Sequence, residues 1–238
     1  MRQQITLCAI LAGLTSMFGA CRLQPSIPAG EDPQRWAEAI TAFEEEDSLT
    51  THPKNPVVFI GSSSIRFWKS LTEDMVPLPI IQRGFGGSRL FDAIYYADRI
   101  IIPYKPAVIV AFTGTNDIGP KNTKSASEVL TLFERFVSRL REDLPGTPIC
   151  YIAISPTQKR LNKLSIVLEA NRLISAACAS DPSLHFIDTA TALLDADGKP
   201  DARWFRKDKL HLNAQGYASW TRTIKPLILK LHAKAPAR

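Results

Sequence analysis

Apolar and polar positions fall in blocks along the chain. The run Val57-Val58-Phe59-Ile60 is continuously apolar and passes into Gly61-Ser62-Ser63-Ser64. A short apolar run without alternation reads as a strand buried on both faces of a parallel sheet. Pro79-Ile80-Ile81-Gln82, Ala107 to Phe112, Pro148 to Ile154 and Leu184 to Ile187 continue the series as strands. Between them apolar residues recur at helical spacing. Asp32-Pro33 starts a first helix with Trp36, Ile40 and Phe43 on one face. A second follows the glycine-rich turn at Gly84–Gly87 and runs through Ile94 and Ile100 to about Pro103. A third opens with the capping pair Ser125 and Glu128 and carries the stripe Leu130, Phe133, Val137, Leu140 and Leu144. A fourth runs from about Leu161 to Ser180. The last starts at about Asn213 and presents Tyr217, Trp220 and Ile224, with Pro226 expected to kink or break it. This alternation predicts a parallel sheet with helices on both faces.

Composition sets bounds on that picture. The chain has 238 residues, of which 45% are hydrophobic and 22% charged, enough for one domain with a full core. A net charge of +6 is modest. Its densest basic stretch, Lys225, Lys230, Lys234 and Arg238, reads as a solvated helix face, with no nucleic-acid-binding motif beside it. The first residues read differently from the rest. Arg2 and the apolar stretch Ile5 to Phe18 are too short for a comfortable span of about 20 residues and fit a secretory signal over residues 1–20. Phe18-Gly19-Ala20-Cys21 resembles a bacterial lipobox, with Phe18 where leucine is usual. A lipidated Cys21 would anchor an exported protein to a membrane of the cell envelope; the alternative is a secreted protein without lipid. Residues 21–32 then read as a linker and 33–238 as the domain. Cys150 and Cys178 remain as either one disulfide or two buried thiols. The four histidines lie far apart and there is no CxxC or HExxH, so the sequence predicts no metal site.

The strand ends carry the chemistry. Ser63 follows the first strand, Gly87 the second and Asn116 the third. Ends on one edge of a parallel sheet converge, and ligands collect there. Asp208-Lys209-Leu210-His211 adds a histidine with an aspartate three residues before it, able to fold back onto the ring. A serine hydroxyl needs such a base to become a nucleophile. Taken singly, each of these residues has a plainer use: the serines and Asn116-Asp117 as caps or turns, Gly87 as a turn, Asp208 and His211 as surface polar groups.

In order, the blocks Gly61-Ser62-Ser63, Gly86-Gly87-Ser88, Gly114-Thr115-Asn116-Asp117 and Asp208-Lys209-Leu210-His211 resemble the SGNH hydrolases, also called the GDSL esterase/lipase family. The resemblance covers roughly residues 56–225. It implies a flavodoxin-like three-layer α/β/α sandwich with a parallel sheet of about five strands. It further implies a serine esterase with Ser63 as nucleophile and His211 and Asp208 as base and orienter. Ser63, Gly87 and Asn116 would form the oxyanion hole, and no cofactor or metal is needed. Ser62 stands where the family usually has aspartate, and the GxSxG elbow of α/β-hydrolases is absent. Arg66, Arg83, Arg89, Arg203, Arg206 and Lys207 are expected to make a polar rim suited to short acyl esters, acetyl foremost, of small molecules or glycans. Phe67, Trp68 and Trp204 are the side chains able to make a longer groove, although Trp68 reads better as core. The alternatives are a lipase or thioesterase of the same fold, or a non-catalytic carbohydrate-binding lipoprotein.

Overall fold

A computed structural model describes residues 25–120 and 123–236. The expected signal and the lipidation candidate Cys21 lie outside the described residues. In chain order come α1 (Ala37–Leu49), β1 (Val57–Gly61), α2 (Ser63–Arg66), α3 (Leu71–Met75), β2 (Ile80–Gly84), α4 (Leu90–Tyr95), α5 (Ala97–Ile100), β3 (Val108–Phe112), α6 (Ala126–Asp143), β4 (Ile149–Ile152), α7 (Leu164–Ala179), β5 (Leu184–Ile187) and α8 (Ala214–His232). The strands form one parallel sheet in the order β2-β1-β3-β4-β5. All residues of β1 and β3 are buried, as their unbroken apolar runs require.

Alternate strand residues feed two cores. Ile60, Ile109, Ala111 and Tyr151 pack toward α1, α4, α5, α6 and α7. Val57, Phe59, Val110 and Ile152 pack toward α2, α3 and α8, where Trp68 is fully buried and stacks on Tyr217. This is the three-layer α/β/α arrangement. Cys150 belongs to the second core and Cys178 to the first. With the sheet between them, both are buried free thiols.

Several elements depart from their sequence pattern. Asp32 makes no side-chain cap, and the first turn, Pro33–Trp36, is a 3-10 turn. The helix expected through Ile94 and Ile100 breaks at Tyr96 into α4 and α5, both packed in the first core. On α6 the capping box of Ser125 and Glu128 forms, but the buried stripe is Val129, Leu132, Phe133, Phe136 and Leu140. Leu130 and Val137 are only partly buried, because two adjacent columns are apolar and packing selects between them. Arg160 has non-helical dihedrals, so α7 begins at Leu164 after a 3-10 segment, Gln158–Lys163. Helix α8 runs through Pro226 without ending. Pro226 and Arg222 are both exposed, so water can take the carbonyl that the missing N–H leaves unpaired.

Candidate active site

Residues 61–66 place a serine where three strands end. Strand β1 stops at Gly61, where a Cβ would lie 2.3 Å from the Phe112 carbonyl oxygen of β3. Only glycine lets the two strand ends approach so closely. The chain then turns directly into α2, with Ser63 as its first residue and its N–H unpaired among the described residues.

The loop before α8 supplies the partners of Ser63. An antiparallel bridge between Phe205 and Leu212 closes it, and Arg206 N–H donates to the His211 carbonyl at 2.8 Å. Lys209 takes a left-handed conformation (φ +59°), which turns the chain back on itself. Asp208 Oδ1 then accepts the N–H groups of Leu210 at 2.9 Å and His211 at 3.0 Å, and Oδ2 meets His211 Nδ1 at 2.8 Å. Partial burial works against the Asp208 charge. The bonds from the His211 backbone and ring and from Leu210 outweigh it and hold the carboxyl down at about 2. An ionised carboxylate only accepts, so Nδ1 carries the hydrogen and Nε2 is left as acceptor. Ser63 Oγ lies 2.9 Å from that Nε2. Phe67 meets the imidazole edge-on, with centroids 4.9 Å apart, and shields one flank.

The sheet order puts β1 between β2 and β3, so the ends carrying Gly87 and Asn116 flank Ser63. Gly87 has φ +86°, a conformation side chains resist, and a Cβ there would press on the Trp36 indole at 3.1 Å. Its N–H has no protein acceptor among the described residues. Asn116 is fixed from both sides: Nδ2 donates to the Ser88 carbonyl at 3.0 Å, and Oδ1 accepts from Arg160 Nη2 at 3.0 Å. Arg160 Nη1 also donates to the Thr115 carbonyl. With Oδ1 claimed by a guanidinium, the remaining Nδ2 hydrogen is the group available to a ligand. Beside Ser63, a slot bordered by Ser64, Phe112, Thr115, Asn116 and Leu210 has about 10 Å³ of room, enough for a group near the size of a water molecule or methyl.

A model of the GDSL-like lipase/acylhydrolase family matches residues 47–219, which spans all of these positions. The chain belongs to that family. As a GDSL-like acylhydrolase it is a serine ester hydrolase. The human alpha1 subunit of platelet-activating factor acetylhydrolase IB is 26% identical over 196 residues, covering 79% of this chain and 80% of the relative. Among solved structures, a GDSL-like lipase from Bacteroides thetaiotaomicron superposes with a TM-score of 0.64 at 18% identity, covering 84% of this chain and 98% of the other. An acetylxylan esterase from Geobacillus stearothermophilus gives 0.60 at 12% identity, covering 79% and 99%. At these identities the superpositions speak for a shared fold.

In this GDSL-like domain the expected rim is only partly real. Arg66 and Arg206 lie over the Phe67 ring, 4.8 and 5.0 Å from its centroid, next to the histidine. Arg83 is not part of a rim. It is registered opposite Ile60, so the pleat sends it toward α1, where it is 4% exposed and bonded to Asp47 and Tyr104. Trp68 is core, and Trp204 lies under the Arg203 guanidinium at the foot of α8, away from the slot. Sequence reasoning missed Arg160. Its only local signal is that it follows the Ser155-Pro156-Thr157 turn at the end of β4, an edge where ligands collect.

Asp117, adjacent to Asn116, supports the second block from inside. It is fully buried and its Oδ2 accepts the Leu90 N–H at 3.1 Å. Burial lifts its carboxyl to about 7, against the Leu90 hydrogen bond and the Lys124 and Arg89 charges that favour ionisation; Glu31 adds to the rise. An aspartate in an unfolded chain titrates near about 3.9. Between that pH and about 7 the unfolded chain has released a proton that the folded chain still binds. Stability therefore falls as pH rises through this window. Thermal unfolding from pH 4 to 8 should show this fall in the parent protein and a shallower one in Asp117→Asn. Parallel curves would show that Asp117 does not titrate in this window.

Proposed function

We propose that the protein removes short acyl groups, acetyl foremost, from an alcohol through a covalent acyl-enzyme. The observation that carries this reading is the unbroken line from Ser63 Oγ through His211 to Asp208, at 2.9 and 2.8 Å. Ser63 Oγ attacks the ester carbonyl while His211 Nε2 takes its proton. The negative oxygen that forms is held by the N–H groups of Ser63 and Gly87 and by Asn116 Nδ2. Collapse expels the alcohol, which takes the proton back from His211. Water then gives a proton to His211 and attacks the acyl-serine, and the Ser63 oxygen leaves with that proton, releasing the carboxylic acid. Asp208 stays ionised throughout and stabilises the imidazolium.

The size of the slot supports a short acyl group. A long chain needs a large apolar surface, since its binding rests on roughly 25 cal/mol per Å² buried. The names of two proteins it resembles, an acetylhydrolase and an acetylxylan esterase, point the same way, and the second supports a sugar as the alcohol. The test is kcat/KM for p-nitrophenyl acetate, butyrate and palmitate, then acetate release from acetylated sugars. Acetate should be the best of the three. A palmitate preference would overturn the short-acyl reading, and acetate preference without sugar deacetylation would remove only the carbohydrate part.

A further inference from the structure

Sharing Asn116 and Arg160 with the slot lies a second depression, of about 200 Å³, whose wall includes Arg35, Arg89, Arg160 and Gly87 and, among the described residues, no carboxylate. Each guanidinium is braced from behind. Arg160 is held by Asn116 Oδ1 and the Thr115 carbonyl. Arg89 reaches the Gly30 carbonyl and Glu31, both at 3.5 Å. Arg35 lies over the Trp36 ring at 4.9 Å and 3.7 Å from Asp92. The acids that brace them face inward: the Glu31 side chain is 5% exposed and that of Asp92 0%. Arg35 is the outward group, with its side chain 40% exposed. The depression therefore presents positive charge to solvent and keeps its counter-charges behind the wall, so the field is focused outward.

We infer that the alcohol portion of the substrate carries an oxyanion, a carboxylate or a phosphate, and that this depression binds it. The inference rests on the proposed function: with the acyl group in the slot, the adjoining space that shares Asn116 and Arg160 with it is left for the alcohol. Guanidinium groups bind planar carboxylates and phosphates through paired charge-assisted hydrogen bonds. Arg160 lies at the junction, touching the oxyanion donor Asn116 and lining both spaces. An anion anchored beside it would help to seat the ester carbonyl against Asn116.

Three acetyl esters test this: 4-carboxyphenyl acetate, 4-acetoxyphenyl phosphate and the neutral isostere 4-carbamoylphenyl acetate, each rate divided by its hydroxide-catalysed rate. At low salt, at least one charged ester should exceed the neutral one in kcat/KM by about tenfold, the factor expected of one good charge-assisted contact. Which of the two gains more tells carboxylate from phosphate. The ratio should shrink in about 0.5 M NaCl, where screening is strong. It should also fall in Arg35→Gln and fall further in Arg35→Glu. Equal rates for charged and neutral esters, or a preference that neither salt nor the Arg35 variants reduce, would overturn the inference and leave the esterase reading intact. Hydrolysis of none of the three would overturn both. The salt series on the parent protein decides the matter even if the variants fold poorly.

Discussion

Replacing Ser63 with alanine should lower kcat by on the order of 10⁵–10⁶, the loss typical when a serine nucleophile of this kind is removed. Ser62→Ala and Ser64→Ala should keep measurable turnover. The three serines are consecutive, but only the Ser63 hydroxyl reaches His211, at 2.9 Å. Ser62 is 2% exposed and makes no side-chain cap. Ser64 uses its carbonyl, not its hydroxyl, to accept the Tyr217 hydroxyl at 2.8 Å. The fold should tolerate the change, because Ser63 opens α2 and its side chain bonds to nothing but the histidine among the described residues. A fluorophosphonate probe should label Ser63, as read by peptide mass, and fail to label Ser63→Ala. A label on Ser64, or turnover surviving in Ser63→Ala, would show that the nucleophile has been assigned wrongly.

Asn116→Ala should cost about 10²–10³ in kcat with a smaller change in KM, as expected for a donor used mainly in the transition state. Arg160→Met should cost less, about tenfold on a neutral ester, because Asn116 stays and keeps Ser88 but its amide loses one of the two partners that orient it. A double variant tells whether Arg160 acts through Asn116. If it does, adding Arg160→Met to Asn116→Ala costs little more than Asn116→Ala alone. Multiplicative losses would give Arg160 a separate part in hydrolysis, and an unchanged kcat in Asn116→Ala would remove Asn116 from the oxyanion hole.

Much of this protein is written locally. Burial on both faces of a parallel sheet demands an unbroken apolar run, so β1 and β3 stand out in the chain. Edge strand β5, though half-buried and carrying His185, has the bounds its sequence predicts, Leu184–Ile187. The Ser125 and Glu128 cap likewise needs only neighbours a turn apart. The Asp208–His211 pair needs two intervening residues, the first of them, Lys209, left-handed. Other features were decided only when distant segments met. Strand order placed Ser63 between Gly87 and Asn116. The pleat, set by register against β1, turned Arg83 toward α1 and away from the rim. Packing chose between two apolar columns on α6, which the 3.6-residue period alone left equivalent. The sheet itself separated Cys150 from Cys178. Arg160 shows the division most clearly. It sits in an irregular segment with no periodicity to mark it, and it meets Asn116 across 44 residues of sequence. A periodic pattern encodes which face of an element is buried; it carries no information about which polar side chain from another loop will arrive there, because that depends on how the layers stack.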